Sequence, residues 1–201
     1  MPRAFTKAEA EEIKEALCRA AENCLARYGV KKTTVDELAR RAGISKGSFY
    51  RFYPSKEVLL FHAVEEYQKR LFEGLFLMVE ERKLGGRNGL AEAIWYLFDT
   101  VQGSFLITIM HPEEMFLLLR GLPKEMVSAH QQFDDDTTTA LLQALHLPET
   151  SVKAPLFSTA LRALSMALMH RETIGENYFN ESMQLLIRGL VLLGVEEEDS
   201  E

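Results

Sequence analysis

Residues 43–60 read GISKGSFYRFYPSKEVLL, and the stretch from Lys46 to Tyr53 sets the cations Lys46 and Arg51 among the aromatics Phe49, Tyr50, Phe52 and Tyr53. Such a stretch is either a piece of core or a surface that meets a polyanion. Wound as a helix it is both. Phe49 and Tyr53, four apart, share one face, while Lys46 and Tyr50 share another, displaced toward solvent. Gly47 removes a side chain at the start of that helix and lets a partner approach the backbone. Ser48 offers a hydroxyl to a base edge or a phosphate, and Lys46 an ammonium to a guanine or a phosphate.

Upstream, Thr34-Val35-Asp36-Glu37 has the form of a capping box that opens a short helix with Val35, Leu38 and Ala39 apolar, and Gly43 supplies the left-handed position that closes it. Ser45 caps the next helix, which must stop before Pro54 because the residue preceding a proline avoids helical geometry. Helix, glycine turn and short helix form a helix-turn-helix, whose second helix enters the DNA major groove. Arg40 and Arg41, near the end of the first of these helices, suit its dipole.

The rest of the chain also reads as helix. Thr6-Lys7-Ala8-Glu9 is a capping box, and Ile13, Leu17, Ala20, Ala21 and Leu25 follow at helical spacing until Gly29 ends the run. Ser55 caps a long amphipathic helix, Lys56 to about Lys83, carrying Val58, Leu59, Ala63, Tyr67, Leu71, Leu75 and Met78. LGGRNG, 84–89, reads as a loop. Helices are then expected over 90–110, 112–121, 123–146, 152–174 and 180–194, punctuated by Pro112, Pro123, Pro148, Pro155 and Gly175. The expected fold is all-α: a helix-turn-helix module, 1–54, joined through the long helix to a helical body, 55–195, with EEEDSE at 196–201 a disordered acidic tail.

Charge divides the same way. Residues 1–56 carry twelve Lys/Arg against seven Asp/Glu, a net of +5, so the remainder of a chain whose formal charge is −7 carries −12. A basic head on an acidic body meets nucleic acid through the head alone. Cys18 and Cys24, six apart on one helix, point from different faces about 9 Å apart along the axis, too far for a disulfide, and read as reduced thiols of a cytoplasmic protein. The N-terminus lacks the apolar run of a signal peptide, and Phe105–Leu119 is interrupted by His111, Pro112, Glu113 and Glu114, so no membrane span is expected.

The 37 residues YGVKKTTVDELARRAGISKGSFYRFYPSKEVLLFHAV, within a resemblance that runs from Ala20 to about Ala63, are similar to the tetracycline-repressor (TetR) family of transcriptional regulators in their spaced Gly, Thr-Thr-Val, Leu-Ala, Ala-Gly-Ile-Ser, Gly-Ser-aromatic-Tyr and Ser-Lys-Glu. The resemblance implies that Thr34, Tyr50 and Lys56 hold phosphates, Lys56 aided by the helix N-terminus it opens, and that Lys46, Gly47 and Ser48 face bases. The chain departs from the family at Phe52, often a His or Tyr able to donate, and at Tyr53, often a Phe, here expected to pack with its hydroxyl reaching the surface. It further implies a homodimeric regulator, usually a repressor, that binds a palindromic operator and is released by a small effector.

For such an effector, Trp95, Phe98, Phe105, Met115, Phe116, Met126, Phe133 and Met166 are expected as apolar pocket walls, with Gln102 and His170 orienting a polar group. The subunit contact is expected on the last two helices, through Ala160, Ala163, Leu164, Ala167 and Leu168, and through Met183, Leu186, Ile187, Leu190 and Val191. No cofactor is expected and no metal site, because His62, His111, His130, His146 and His170 show no ligand spacing, and the contiguous Asp134-Asp135-Asp136 lacks the spacing of a calcium loop. Catalysis finds no motif: GGRNG lacks the flanking strand and Lys-Ser/Thr of a phosphate loop, and Ser104 has no nucleophile elbow. A helical adaptor that meets only proteins is the alternative. The basic head argues against it, since counterion release from phosphates needs that charge.

Overall fold

A computed structural model of the chain describes residues 5–148 and 154–196, and its regular elements are helices. The first, α1 (Lys7–Lys32), begins at a complete capping box: Thr6 Oγ1 accepts from Glu9 N–H at 3.2 Å, and Glu9 Oε2 accepts from Thr6 N–H at 2.7 Å. At α2 (Val35–Arg41) only half of the expected box forms. Thr34 Oγ1 accepts from Glu37 N–H, but the Glu37 carboxylate, instead of turning back to Thr34, is taken by Arg40 and Arg41 at 2.6–2.9 Å. Gly43, at φ +70°, closes this helix, with Ile44 N–H reaching back to Ala39 O. Ser45 caps the one regular turn of α3 (Lys46–Phe49), and Tyr53 N–H still reaches Phe49 O before Pro54 ends the winding.

Then come α4 (Lys56–Glu81), α5 (Gly86–Gln102), α6 (Leu106–Ile109), α7 (Pro112–Leu119), α8 (Lys124–Ala144), α9 (Ala154–Met169), α10 (Arg171–Ile174), a 3-10 turn (Glu176–Tyr178) and α11 (Phe179–Gly194). The helix expected over 90–110 is two, because the chain turns at Gly103 and Ser104 Oγ accepts from Leu106 N–H to start α6. The one expected over 152–174 breaks at His170; its first residues, 152–153, and the expected tail beyond 196 lie outside the described residues. The expected loop at 84–89 is corrected: helix α5 starts inside it. Gly86 N–H donates to Leu145 O at 2.7 Å, and a Cβ on Gly89 would fall 2.8 Å from a Leu145 methyl, so a packing contact dictates this glycine.

The described residues fall into two compact units, one within 1–68 and 104–129, the other within 69–103 and 130–201. In the first, Leu17, Leu25, Leu38, Phe49, Leu59, Leu60 and Leu118 are wholly buried in one cluster with Phe105 and Ile109. Thus α6 and α7 close the core of the helix-turn-helix, and the expected boundary at residue 54 falls inside this unit. Phe49 is the pin of α3; truncating a buried phenylalanine costs about 3–5 kcal/mol.

The turn between α1 and α2 is built from polar contacts. Gly29, at φ +67° within α1, kinks the helix and exposes the N–H groups of Val30 and Lys31, both of which donate to Glu114 of α7 at 2.5 and 3.2 Å. A Cβ on Gly29 would sit 2.7 Å from that carboxylate. From the other side Lys56 Nζ donates to Val30 O at 2.8 Å and Thr33 O at 2.7 Å, and the buried Thr33 hydroxyl donates to Gly29 O. Charge-assisted bonds of this kind are each worth about 1.5–3 kcal/mol.

In the second unit α11 packs on α5 and α9, burying Phe179, Met183, Ile187 and Val191. Met183, Ile187 and Val191, expected at a subunit contact, are therefore internal core, as are Leu164 and Leu168 of α9. The opposite face of α11 leaves Leu185, Leu186, Leu192 and Leu193 exposed, the last at 78%, and Met166 of α9 is exposed as well.

Two substitutions test the turn. Lys56→Met and Glu114→Ala should each lower the stability of the first unit by about 1–3 kcal/mol in urea. Glu114→Ala should also speed amide exchange at Val30 and Lys31. Wild-type stability and exchange in both would show that the clamp contributes nothing.

Candidate functional site

The outward surface of α2 and α3 gathers five of the six residues expected at DNA: Thr34, Lys46, Gly47 and Tyr50 are exposed and Ser48 is half-exposed. Phe49 and Tyr53, on the opposite face, are buried, and the Tyr50 ring stands edge-on to Phe49 at 5.4 Å, with half of its surface in solvent. Gly47 has no positive φ, and a Cβ there would meet only Ser45 Oγ at 3.9 Å. Nothing within the chain demands glycine at that place.

Each polar group on this face has a local partner. The Ser48 and Ser45 hydroxyls share a hydrogen bond of 3.0 Å, and Lys46 pairs with Asp36 at 2.8 Å, both side chains more than half exposed. An ion pair this wet is worth about 0–1 kcal/mol, so a phosphate can displace Asp36. Asp36 holds the ammonium more firmly charged. Glu37, partly buried and hydrogen-bonded first by Arg40 and then by Arg41, is pulled down to about 2. A carboxylate depressed in this way supports the fold above its unfolded value and loses that support as pH falls toward about 2, so Arg40 and Arg41 stay paired at neutral pH.

Lys56, the sixth residue, is only 22% exposed, and two of its three N–H groups are engaged by Val30 and Thr33. Its first role in this fold is to tie α4 to the end of α1. Nothing in the sequence around Lys56 shows this, since its acceptors are carbonyls 23 and 26 residues away. Phe52 is half-buried against Phe5 at 5.6 Å, and the Arg51 guanidinium lies 4.9 Å over the Phe5 ring. Tyr53 packs between Phe49 and His62. Its hydroxyl, expected at the surface, instead meets the Cys18 side chain, and burial, with Cys18 beside it, pushes its ionisation up.

The ten residues expected around an effector do not line one hollow. Phe105, Met115, Phe116 and Met126 belong to the first unit, where Phe105 is core against Tyr67 and Phe116 is exposed. The other six belong to the second. Trp95 lines a hollow of about 280 Å³ with Tyr96, Arg82 and Arg188. Phe133 lies tilted against Phe72, ring centres 6.0 Å apart, beside another, of about 560 Å³; Phe98 is buried, and Met166 is exposed on α9. His170 and Arg171 line a third hollow, of about 310 Å³, and Gln102 Oε1 accepts from Arg171 while its buried Nε2 has no partner. Because a guanidinium only donates, that amide orientation is fixed.

Known proteins match in two ways. The family model "Bacterial regulatory proteins, tetR family" matches residues 17–63. An uncharacterised HTH-type transcriptional regulator of Mycobacterium bovis is 32% identical over 100 residues, 48% of this chain and 49% of the relative, so the chain spans about half the length of the curated relative it matches. Among solved structures, a TetR family transcription regulator from Marinobacter aquaeolei superposes with TM-score 0.66 and 18% identity, covering 96% of this chain and all of the other. The transcriptional regulator FadR from Bacillus subtilis, solved in complex with stearoyl-CoA, superposes with TM-score 0.58 and 17% identity, covering 92% and 99%. At these identities the superpositions show the fold, and the helix-turn-helix carries the sequence likeness: residues 17–63 match the tetR family of bacterial regulatory proteins.

Proposed function

We propose that the protein is a cytoplasmic, homodimeric transcriptional repressor that binds a palindromic DNA operator and is released by a small apolar or amphipathic effector. The observation that carries the reading is the α2–α3 surface, where Lys46, Ser48 and Tyr50 stand outward around a glycine that the fold itself does not need. In this reading Lys46, Gly47 and Ser48 face bases, while Thr34, Tyr50 and the remaining N–H of Lys56 hold phosphates. Placement on the basic head supports it, as does the ease with which Asp36 gives up Lys46.

The dimer is proposed through the exposed leucines of α11, Leu185, Leu186, Leu192 and Leu193, with Met166 of α9. An apolar face this concentrated is rare on a monomer, and two helices from each of two copies make a four-helix contact about a two-fold axis. The effector site is proposed in the second unit, for which the stearoyl-CoA complex of FadR offers a precedent at the level of fold.

Selection from a random duplex pool should yield a two-fold-symmetric consensus with half-sites about 34–36 Å apart. A pool with no enriched sequence would refute operator binding. On the selected site, Lys46→Ala and Ser48→Ala should weaken binding and alter base preference, while Tyr50→Phe should weaken all sequences and lower the salt slope less than Lys46→Ala, which removes roughly one unit. Asp36→Asn, which frees Lys46, should tighten binding to random duplex.

Leu193→Glu should give folded monomers by light scattering with weakened operator affinity, whereas Ile187→Glu should unfold the second unit, because it puts a charge in the core. A wild-type monomer at micromolar concentration would refute the dimer.

A further inference from the structure

A trough runs along α4 where it faces α8. Phe72, Phe76, Leu77 and Phe133 wall a hollow of about 560 Å³; Phe76 and Glu80 continue into a second, of about 490 Å³, walled by Val79, Leu84 and Ala144. From Lys69 at one end to its close at Glu81, just before Lys83, α4 rises about 18 Å. The walls are mainly aromatic and aliphatic, with the carboxylates of Glu73 and Glu80 and the Thr137 hydroxyl among them.

The far end is marked by its backbone. Lys83 and His146 are the non-glycine residues with positive φ among the described residues, at +51° and +56°. Each sits just past a helix end in the same motif: Leu84 N–H returns to Val79 O after α4, and Leu147 N–H returns to Leu142 O after α8. Glycine suits that position, and this chain uses it after α2, at Gly43. At α4 and α8 a lysine and a histidine occupy it, and both line the same hollow. A cation anywhere in the last turn would satisfy the helix dipole, so the dipole does not require this conformation. Neither side chain has a hydrogen bond or ion pair among the described residues, and Glu80, three residues before Lys83 on the same wall, leaves Lys83 unpaired.

We propose that the trough binds a fatty acyl chain, its tail along Phe72, Phe76 and Phe133 and its acyl oxygens, of a free carboxylate or a thioester, accepting from Lys83 Nζ and the His146 imidazole. The proposal rests on the reading that the second unit takes the effector, and it names the ligand class and the head-group pair.

The decisive variant is Lys83→Gly with His146→Gly, because glycine is the residue that this backbone prefers. The double variant should melt at or above the wild-type temperature yet bind more weakly. Calorimetry on the full chain would use laurate, lauroyl-coenzyme A and, as a cation with the same tail, dodecyltrimethylammonium. Laurate or the thioester should bind one per chain and the cation more weakly; which of the two acyl probes binds tells the free acid from the thioester. The double variant should lose roughly tenfold or more, the worth of a charge-assisted hydrogen bond. Unchanged acyl affinity in a folded double variant, or equal binding of the cation, overturns the proposal. So does a change in oligomeric state, without a change in probe binding, on Phe76→Ser, since the trough would then be a contact between subunits. Acyl binding that behaves as expected while operator affinity stays fixed at saturation would leave the site standing and remove its role as the switch. Operator release by an unrelated compound, with no acyl binding, would do the reverse.

Discussion

The first unit depends on one turn, residues 29–33, where a carboxylate and an ammonium grip opposite sides of the same backbone. A kinked helix end leaves N–H and C=O groups without partners, and in a partly buried junction each such group is costly. Glu114 takes the donors and Lys56 the acceptors. The three strands of chain that meet there, the end of α1, the start of α4 and α7, thereby acquire fixed relative positions. The α2–α3 pair hangs from this junction at one end and from Phe49 in the core at the other. The surface of α2 and α3 is held by elements that contribute nothing to it directly.

That arrangement divides two kinds of charge. Lys56 lies inside the frame, so its removal disturbs folding before it disturbs recognition. Lys46 lies outside the frame, tethered only to an exposed Asp36, and is available for exchange with a polyanion. Glu37 holds Arg40 and Arg41 in one fork, which keeps part of the positive charge of the head engaged internally.

The second unit shows a different economy of side chains. Gly89 makes room for Leu145, and Gly74 for the Tyr96 hydroxyl, so close helix packing depends on missing side chains. Where a glycine would relieve the backbone, after α4 and α8, larger polar residues stand instead. Small residues mark tight packing, and strained large ones mark a rim open to solvent.

Sequence alone determined the helices and most of their ends, because capping acts over three or four residues: Thr6 with Glu9, Ser45 with Ser48, Gly43 after Ala42 and Pro54 after Tyr53 were all legible as short-range chemistry. The amphipathic spacing of 46–53 likewise separated the buried Phe49 and Tyr53 from the outward Lys46 and Tyr50. Tertiary structure decided what depends on residues distant along the chain. Glu114 reaches Val30 across 84 positions, and the glycines of 84–89 owe their helical start to Leu145. The two faces of α11 are both apolar, and only packing on α5 and α9 decides that Ile187 is core while Leu193 is left outside. An apolar period shows that a helix has a face to bury. It carries no information on which neighbour buries it, because that is settled by the shape and volume of surfaces that exist only once the chain has folded.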